Sequence, residues 1–71
     1  SIMTQPLQSQ SYYQRCVVIR KYASIVLQHL KEDDSETPDN AVENFREHHK
    51  LSNDVADDIL NEIHYMTRKD Y

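Results

Sequence analysis

Five side chains of this 71-residue chain could in principle bind a transition metal: His29, His48, His49, His64 and Cys16. A zinc site needs three or four ligands that converge tetrahedrally on the ion. Adjacent side chains on a helix point about 100° apart, so neighbours such as His48 and His49 seldom hold one ion. No ligand-spacing motif connects the five residues. We therefore expect rim and surface histidines, with no metal and no cofactor.

Cys16 is also the only thiol that could serve as a nucleophile, which would require an adjacent base. It falls at the centre of the apolar arc of its predicted helix, and buried structural cysteines are inert. The carboxylates fall in loops or on polar helix faces, where they stay solvated. A domain of this size offers little concave volume for a substrate. The sequence therefore predicts a protein that is not an enzyme and has no small-molecule substrate.

The composition excludes further classes of protein. The chain contains no glycine, whereas an average chain of this length would carry roughly five. Glycine provides the positive φ of hairpin turns and of phosphate-binding loops, so its absence argues against a β-rich fold and a Gly-rich nucleotide site. A single cysteine excludes an internal disulfide and indicates a reducing compartment such as the cytoplasm. No apolar run approaches the roughly 20 residues of a membrane span, and no secretory leader is visible.

The charged residues are segregated along the chain although the net charge is only −4. Residues 1–31 carry four basic side chains and no acid, residues 32–39 carry five acids, and residues 52–67 carry four. Such asymmetry bears on partners and on pairing between elements rather than on the fold itself.

Nucleic-acid binding is the alternative that this charge pattern raises. If the second and third helices formed a helix-turn-helix, Asp54, Asp57 and Asp58 would meet the DNA phosphates and repel them. The sequence thus argues against nucleic acid as the partner. A small nucleic-acid-associated transcriptional regulator, contacting phosphate through Arg20 and Lys21 of the basic first helix, remains the alternative function.

Three helices are predicted to carry these residues. Residues 1–10 are polar and aperiodic, and we interpret them as a flexible N-terminal arm that begins with a cloning scar, Ser1-Ile2. Residues 11–71 form one helical domain. Its helices are predicted at 12–31 (α1), 38–49 (α2) and 53–68 (α3), with Ser11, Thr37 and Ser52 as N-caps and Pro38 at the first position of α2.

The first helix carries more apolar surface than one neighbour can cover. Its apolar arc is roughly 200° wide, against about 100° for a one-sided surface helix. The β-branched run at 17–19 could instead begin a strand, but the helical pattern continues far past it. The centre of the arc is formed by Tyr12, Cys16, Ile19, Ala23, Val26 and Leu30.

The expected fold is all-α: a small three-helix bundle with α1 central, in which basic α1 and acidic α3 lie side by side with complementary rims. We expect a common core of Ile19, Val26, Leu30, Phe45, Ile59 and Ile63.

Function is expected to depend on the part of α1 that the other helices leave uncovered. We expect a protein–protein interaction module, either a small regulator or adaptor or an N-terminal docking domain. Its partner is another protein or a second copy of the chain, because an exposed apolar strip marks an interaction site and can cover itself in a homodimer. The predicted interface is one flank of α1, formed by Arg15, Val18, Tyr22, Ile25 and His29.

Overall fold

A computed structural model of the protein describes residues 11–68, and this part of the chain forms three α-helices. They are α1 (Tyr12–Glu32), α2 (Pro38–His49) and α3 (Asn53–Arg68). Each helix contacts the other two, so the predicted all-α three-helix bundle is confirmed. The alternative strand at 17–19 is wrong, because these residues lie inside α1. The predicted flexible arm, residues 1–10, lies outside the described residues.

Each helix begins at a hydroxyl side chain that accepts a hydrogen bond from a backbone N–H three residues further on. Such a bond satisfies one of the four N–H groups that a helix start leaves without a partner. In α1 the Gln14 side chain also accepts from the Ser11 N–H, which completes a capping box. The three caps are Ser11 to Gln14, Thr37 to Asn40, and Ser52 to Val55, each at 3.2 Å.

The turn between α2 and α3 contains the one described residue with a left-handed backbone. Lys50 has φ 56° and ψ 46°, a conformation that glycine adopts at little cost and other residues at about 1–2 kcal/mol. The N–H of Leu51 donates to the carbonyl of Arg46 at 3.0 Å, which satisfies an end carbonyl of α2. The chain therefore closes this helix without a glycine.

The core lies where the three helices meet. Ile59 and Ile63 of α3 are 0% and 1% exposed, and Ile19 and Val26 of α1 are also buried, as predicted. Leu30 and Phe45 pack against this core but are only partly buried, so the prediction of full burial was wrong for both. The other members of the buried cluster are Ala23, Ala41, Val42, Val55 and Ala56.

The first two turns of α1 extend past the end of α2. The last residue of α2, His49, stacks on Tyr22 with ring centroids 6.2 Å apart, and Tyr22 lies ten residues, or about 15 Å, beyond Tyr12 along the helix. Tyr12 and Cys16 were predicted at the centre of the buried arc, yet both are exposed. The prediction was wrong because α2 is too short to reach them.

Ile59→Ala tests the core. Ile59 is fully buried, so truncation should leave a cavity and lower the free energy of unfolding by about 3–4 kcal/mol. Ile25→Ala is the matched control: Ile25 is 49% exposed, and its truncation should cost less than about 1 kcal/mol. Urea denaturation followed by circular dichroism measures both, and equal losses would contradict the assignment of Ile59 to the core.

Candidate functional site

The predicted interface flank of α1 is partly covered by the rest of the bundle. Val18 is only 1% exposed, so it cannot form part of an exposed strip as predicted. The ring of Tyr22 is partly buried and lies 5.2 Å from the ring of Phe45, centroid to centroid. Val18 lies one turn before Tyr22 on the same face of the helix. This side of α1 is therefore mainly an internal contact of the bundle.

Ile25 and His29 are the parts of that flank that stay exposed. They line a groove of about 430 Å³ between α1 and α2, together with Phe45, His48 and His49. The groove is apolar at its base, where Val26 and Ala41 of the core contribute, and histidines stand at its rim. We call it the α1–α2 groove.

A second groove, of about 520 Å³, lies on the other side of α1 where it packs against α3. It has tyrosines and charged side chains on its walls and the exposed thiol of Cys16 beside them. We call it the α1–α3 groove; its lining residues are Tyr12, Arg15, Cys16, Ile19, Asp58, Asn61, Glu62 and Tyr65.

Most of the large apolar side chains that the bundle leaves exposed lie at this groove or beside it. Tyr12 is 85% exposed, Tyr13 77%, Tyr65 49% and Val17 46%. Tyr13 and Val17 are one turn apart and point about 100° around α1 from Tyr12 and Cys16, so they lie beside the groove and not in its wall. Within residues 11–68 only one other large apolar side chain, Ile25, is exposed to this extent. We call the four residues Tyr12, Tyr13, Val17 and Tyr65 the tyrosine surface.

The predicted flank did not include the tyrosine surface. A helical wheel assigns Tyr12 and Cys16 to the buried arc because it compares directions around the axis and ignores position along it. The lengths of the predicted helices could have indicated that the start of α1 is not covered by α2. A 12-residue helix that folds back from the end of a 20-residue helix spans about 18 Å of its partner's 30 Å, so the first turns of α1 had to extend past it.

Two ion pairs join α1 to α3 along the α1–α3 groove. Arg15 Nη2 lies 2.9 Å from Asp58 Oδ2, and Arg20 Nε pairs with Glu62 Oε2. The predicted complementary rims of α1 and α3 are thus confirmed. Arg15 precedes Arg20 in α1, and their partners Asp58 and Glu62 follow in the same order in α3. The two helices therefore run parallel. Arg15, which was predicted to form part of the partner interface, pairs with Asp58 of its own chain.

The exposed thiol of Cys16 has Tyr12 as its neighbour. A hydrogen bond between the two side chains, and then the negative charge that the thiolate would carry, raise the pKa of Tyr12 above its usual value. The prediction that Cys16 is buried was wrong. No histidine lines the α1–α3 groove, and the two carboxylates beside Cys16 are engaged by arginines.

The histidines do not assemble a metal site in the described part of the chain. His48 and His49 have ring centroids 4.8 Å apart, but within residues 11–68 no three His, Cys, Asp or Glu side chains lie together so that they could hold an ion. None of the three helices is both long and apolar enough to cross a lipid bilayer.

No protein-family model matches the chain, and no curated protein or solved structure is significantly similar to it.

Cys16→Ala tests the contact between Cys16 and Tyr12. The substitution removes both the hydrogen bond and the thiolate charge that oppose ionisation of the phenol. The pKa of Tyr12 should therefore fall toward its usual value, so that the phenolate forms at lower pH than in the wild type. A pH titration of the Tyr12 ring by NMR measures this shift, and an unchanged or higher pKa would contradict the contact.

A double-mutant cycle on Arg20→Ala and Glu62→Ala measures the strength of one ion pair. The Arg20 side chain is 55% exposed and Glu62 21%, so water screens the attraction. We expect a coupling of about 0.5–1 kcal/mol at low salt, decreasing as salt is added. Urea unfolding at two salt concentrations determines the coupling. A larger coupling that does not depend on salt would mean that the pair is effectively buried.

Proposed function

We propose that this protein is a protein-binding module and that its binding site is the tyrosine surface with the adjoining α1–α3 groove. The observation that carries the proposal is the concentration of exposed aromatic rings at one end of the bundle, with Tyr12 at 85% and Tyr13 at 77% exposure. Tyrosine is enriched among residues that dominate binding energy, because it offers a large contact area with few rotatable bonds.

The charged rims of the groove suit the polar border that surrounds the apolar centre of a protein interface. Arg15 and Arg20 on one side and Asp58 and Glu62 on the other would orient a partner and select against partners with the wrong charge pattern. The same pairing weakens the alternative of phosphate binding through Arg20 and Lys21, because the Arg20 guanidinium group is already compensated by the Glu62 carboxylate.

Site-specific photo-crosslinking in the source cell tests this proposal. A benzophenone amino acid at position 13 replaces a ring that is already exposed, and we expect it to form a discrete adduct with a protein. Position 25 is the control, because Ile25 is exposed on the same helix but faces the α1–α2 groove. Adducts at position 25 and none at position 13 would contradict the proposed site.

The adduct also provides a quantitative test of the tyrosines. Tyr12→Gln keeps a good helix-forming residue but removes an aromatic ring next to the crosslinker, and should reduce the yield at position 13 by about tenfold if the ring is a binding hot spot. An unchanged yield would show that the adduct forms by random collision, and the proposed binding site would then be wrong.

A further inference from the structure

We infer that the partner of the α1–α3 groove is a second copy of the chain, related by a two-fold axis that runs along the groove. This inference rests on the proposed function, since it names the occupant of the same surface. It differs from the homodimer predicted from the sequence, which would use the opposite flank of α1.

The charge pattern of the groove is the first argument for a second copy. One edge carries Arg15 and Arg20, and the other carries Asp58 and Glu62. A partner with charges of one sign would gain at one edge and lose at the other. A copy rotated about an axis along the groove places its α1 over α3 of the first copy, so that each basic edge meets an acidic edge.

The existing ion pairs can extend into such a dimer without being broken. The Arg15 side chain is 35% exposed and Asp58 is 46% exposed, so both remain accessible from outside the chain. A guanidinium group has five N–H donors and a carboxylate two acceptor oxygens. Arg15 can therefore stay bound to its own Asp58 and also reach the partner's Asp58, which would give each pair a second, intermolecular contact.

The apolar area available is the second argument. A stable interface covers about 800 Å² on each partner. A fully buried tyrosine contributes about 150–250 Å², so the exposed parts of Tyr12, Tyr13 and Tyr65 would supply roughly half of that area. The walls of the groove with the Cys16 side chain, and the exposed Val17 beside the groove, would supply part of the remainder.

The α1–α2 groove lacks this self-complementarity. Its rim carries His29, His48 and His49, and none of its lining residues is acidic. A dimer built across it would place the histidines of one copy near those of the other, which repel once they are protonated. Ile25, the exposed aliphatic residue of that groove, is therefore the natural control position.

Sedimentation equilibrium of the wild-type chain is the first test. We expect a dimer that dissociates on dilution through the micromolar range. Tyr12→Gln should weaken the dimer by about tenfold or more, whereas Ile25→Gln should change its dissociation constant by less than about threefold. A monomer at all concentrations up to about 100 µM, or a dimer that is weakened by Ile25→Gln and not by Tyr12→Gln, would overturn the inference.

A charge-reversal pair tests the proposed two-fold arrangement itself. The chain with Arg15→Glu and Arg20→Glu has an all-acidic groove, and the chain with Asp58→Lys and Glu62→Lys an all-basic one. Each should be monomeric alone, because its edges repel those of its own copy, and an equimolar mixture should form heterodimers. Failure of the mixture to associate, with both variants shown to be helical by circular dichroism, would contradict the arrangement.

The two proposals fail separately. If the wild-type chain is monomeric but position 13 still forms an adduct with another protein, the second copy is wrong and the binding module stands. If the chain dimerises as described, the photo-adduct at position 13 should contain the chain itself. If neither association nor an adduct is found, both proposals are wrong.

Discussion

A helix of 21 residues lies against one of only 12 residues in this bundle, and this difference in length determines which side chains are covered. The second helix begins near the end of α1, folds back along it and ends beside Tyr22. The first two turns of α1 extend beyond that point. The same apolar arc is therefore buried at Ala23 and Val26 and exposed at Tyr12 and Cys16.

The ion pairs between α1 and α3 contribute more to orientation than to stability. Exposed pairs of this kind are worth at most about 1 kcal/mol each, whereas the fully buried side chains of Ile59 and Ile63 account for several kcal/mol of apolar burial. Arg15 and Arg20 lie near consecutive turns of α3, so they favour the parallel alignment of the two helices and penalise a shifted one. They also give the exposed groove its two differently charged edges.

The positions of the helices could be predicted from the sequence because local chemistry determines them. Ser11, Thr37 and Ser52 are short hydroxyl residues placed just before apolar periodic segments, and each forms the cap that its position indicates. The identity of the exposed surface could not be predicted in the same way. Val18 and Cys16 are both apolar and both lie on the wide arc of α1, yet Val18 is buried and Cys16 is exposed, because tertiary packing and not the local sequence decides which of them is covered.

The absence of glycine, together with the left-handed Lys50, has a consequence for the denatured state. Replacing a glycine by a residue with a side chain reduces the conformational entropy of the unfolded chain. At a compatible position this raises the free energy of unfolding by about 0.4–1 kcal/mol. Set against the roughly five glycines of an average chain of this length, the difference amounts to about 2–5 kcal/mol. That is comparable to the entire net stability of a small core, and the strain at Lys50 costs only about 1–2 kcal/mol of it. A bundle with no internal disulfide thus loses less conformational entropy on folding than a glycine-containing chain of the same length would.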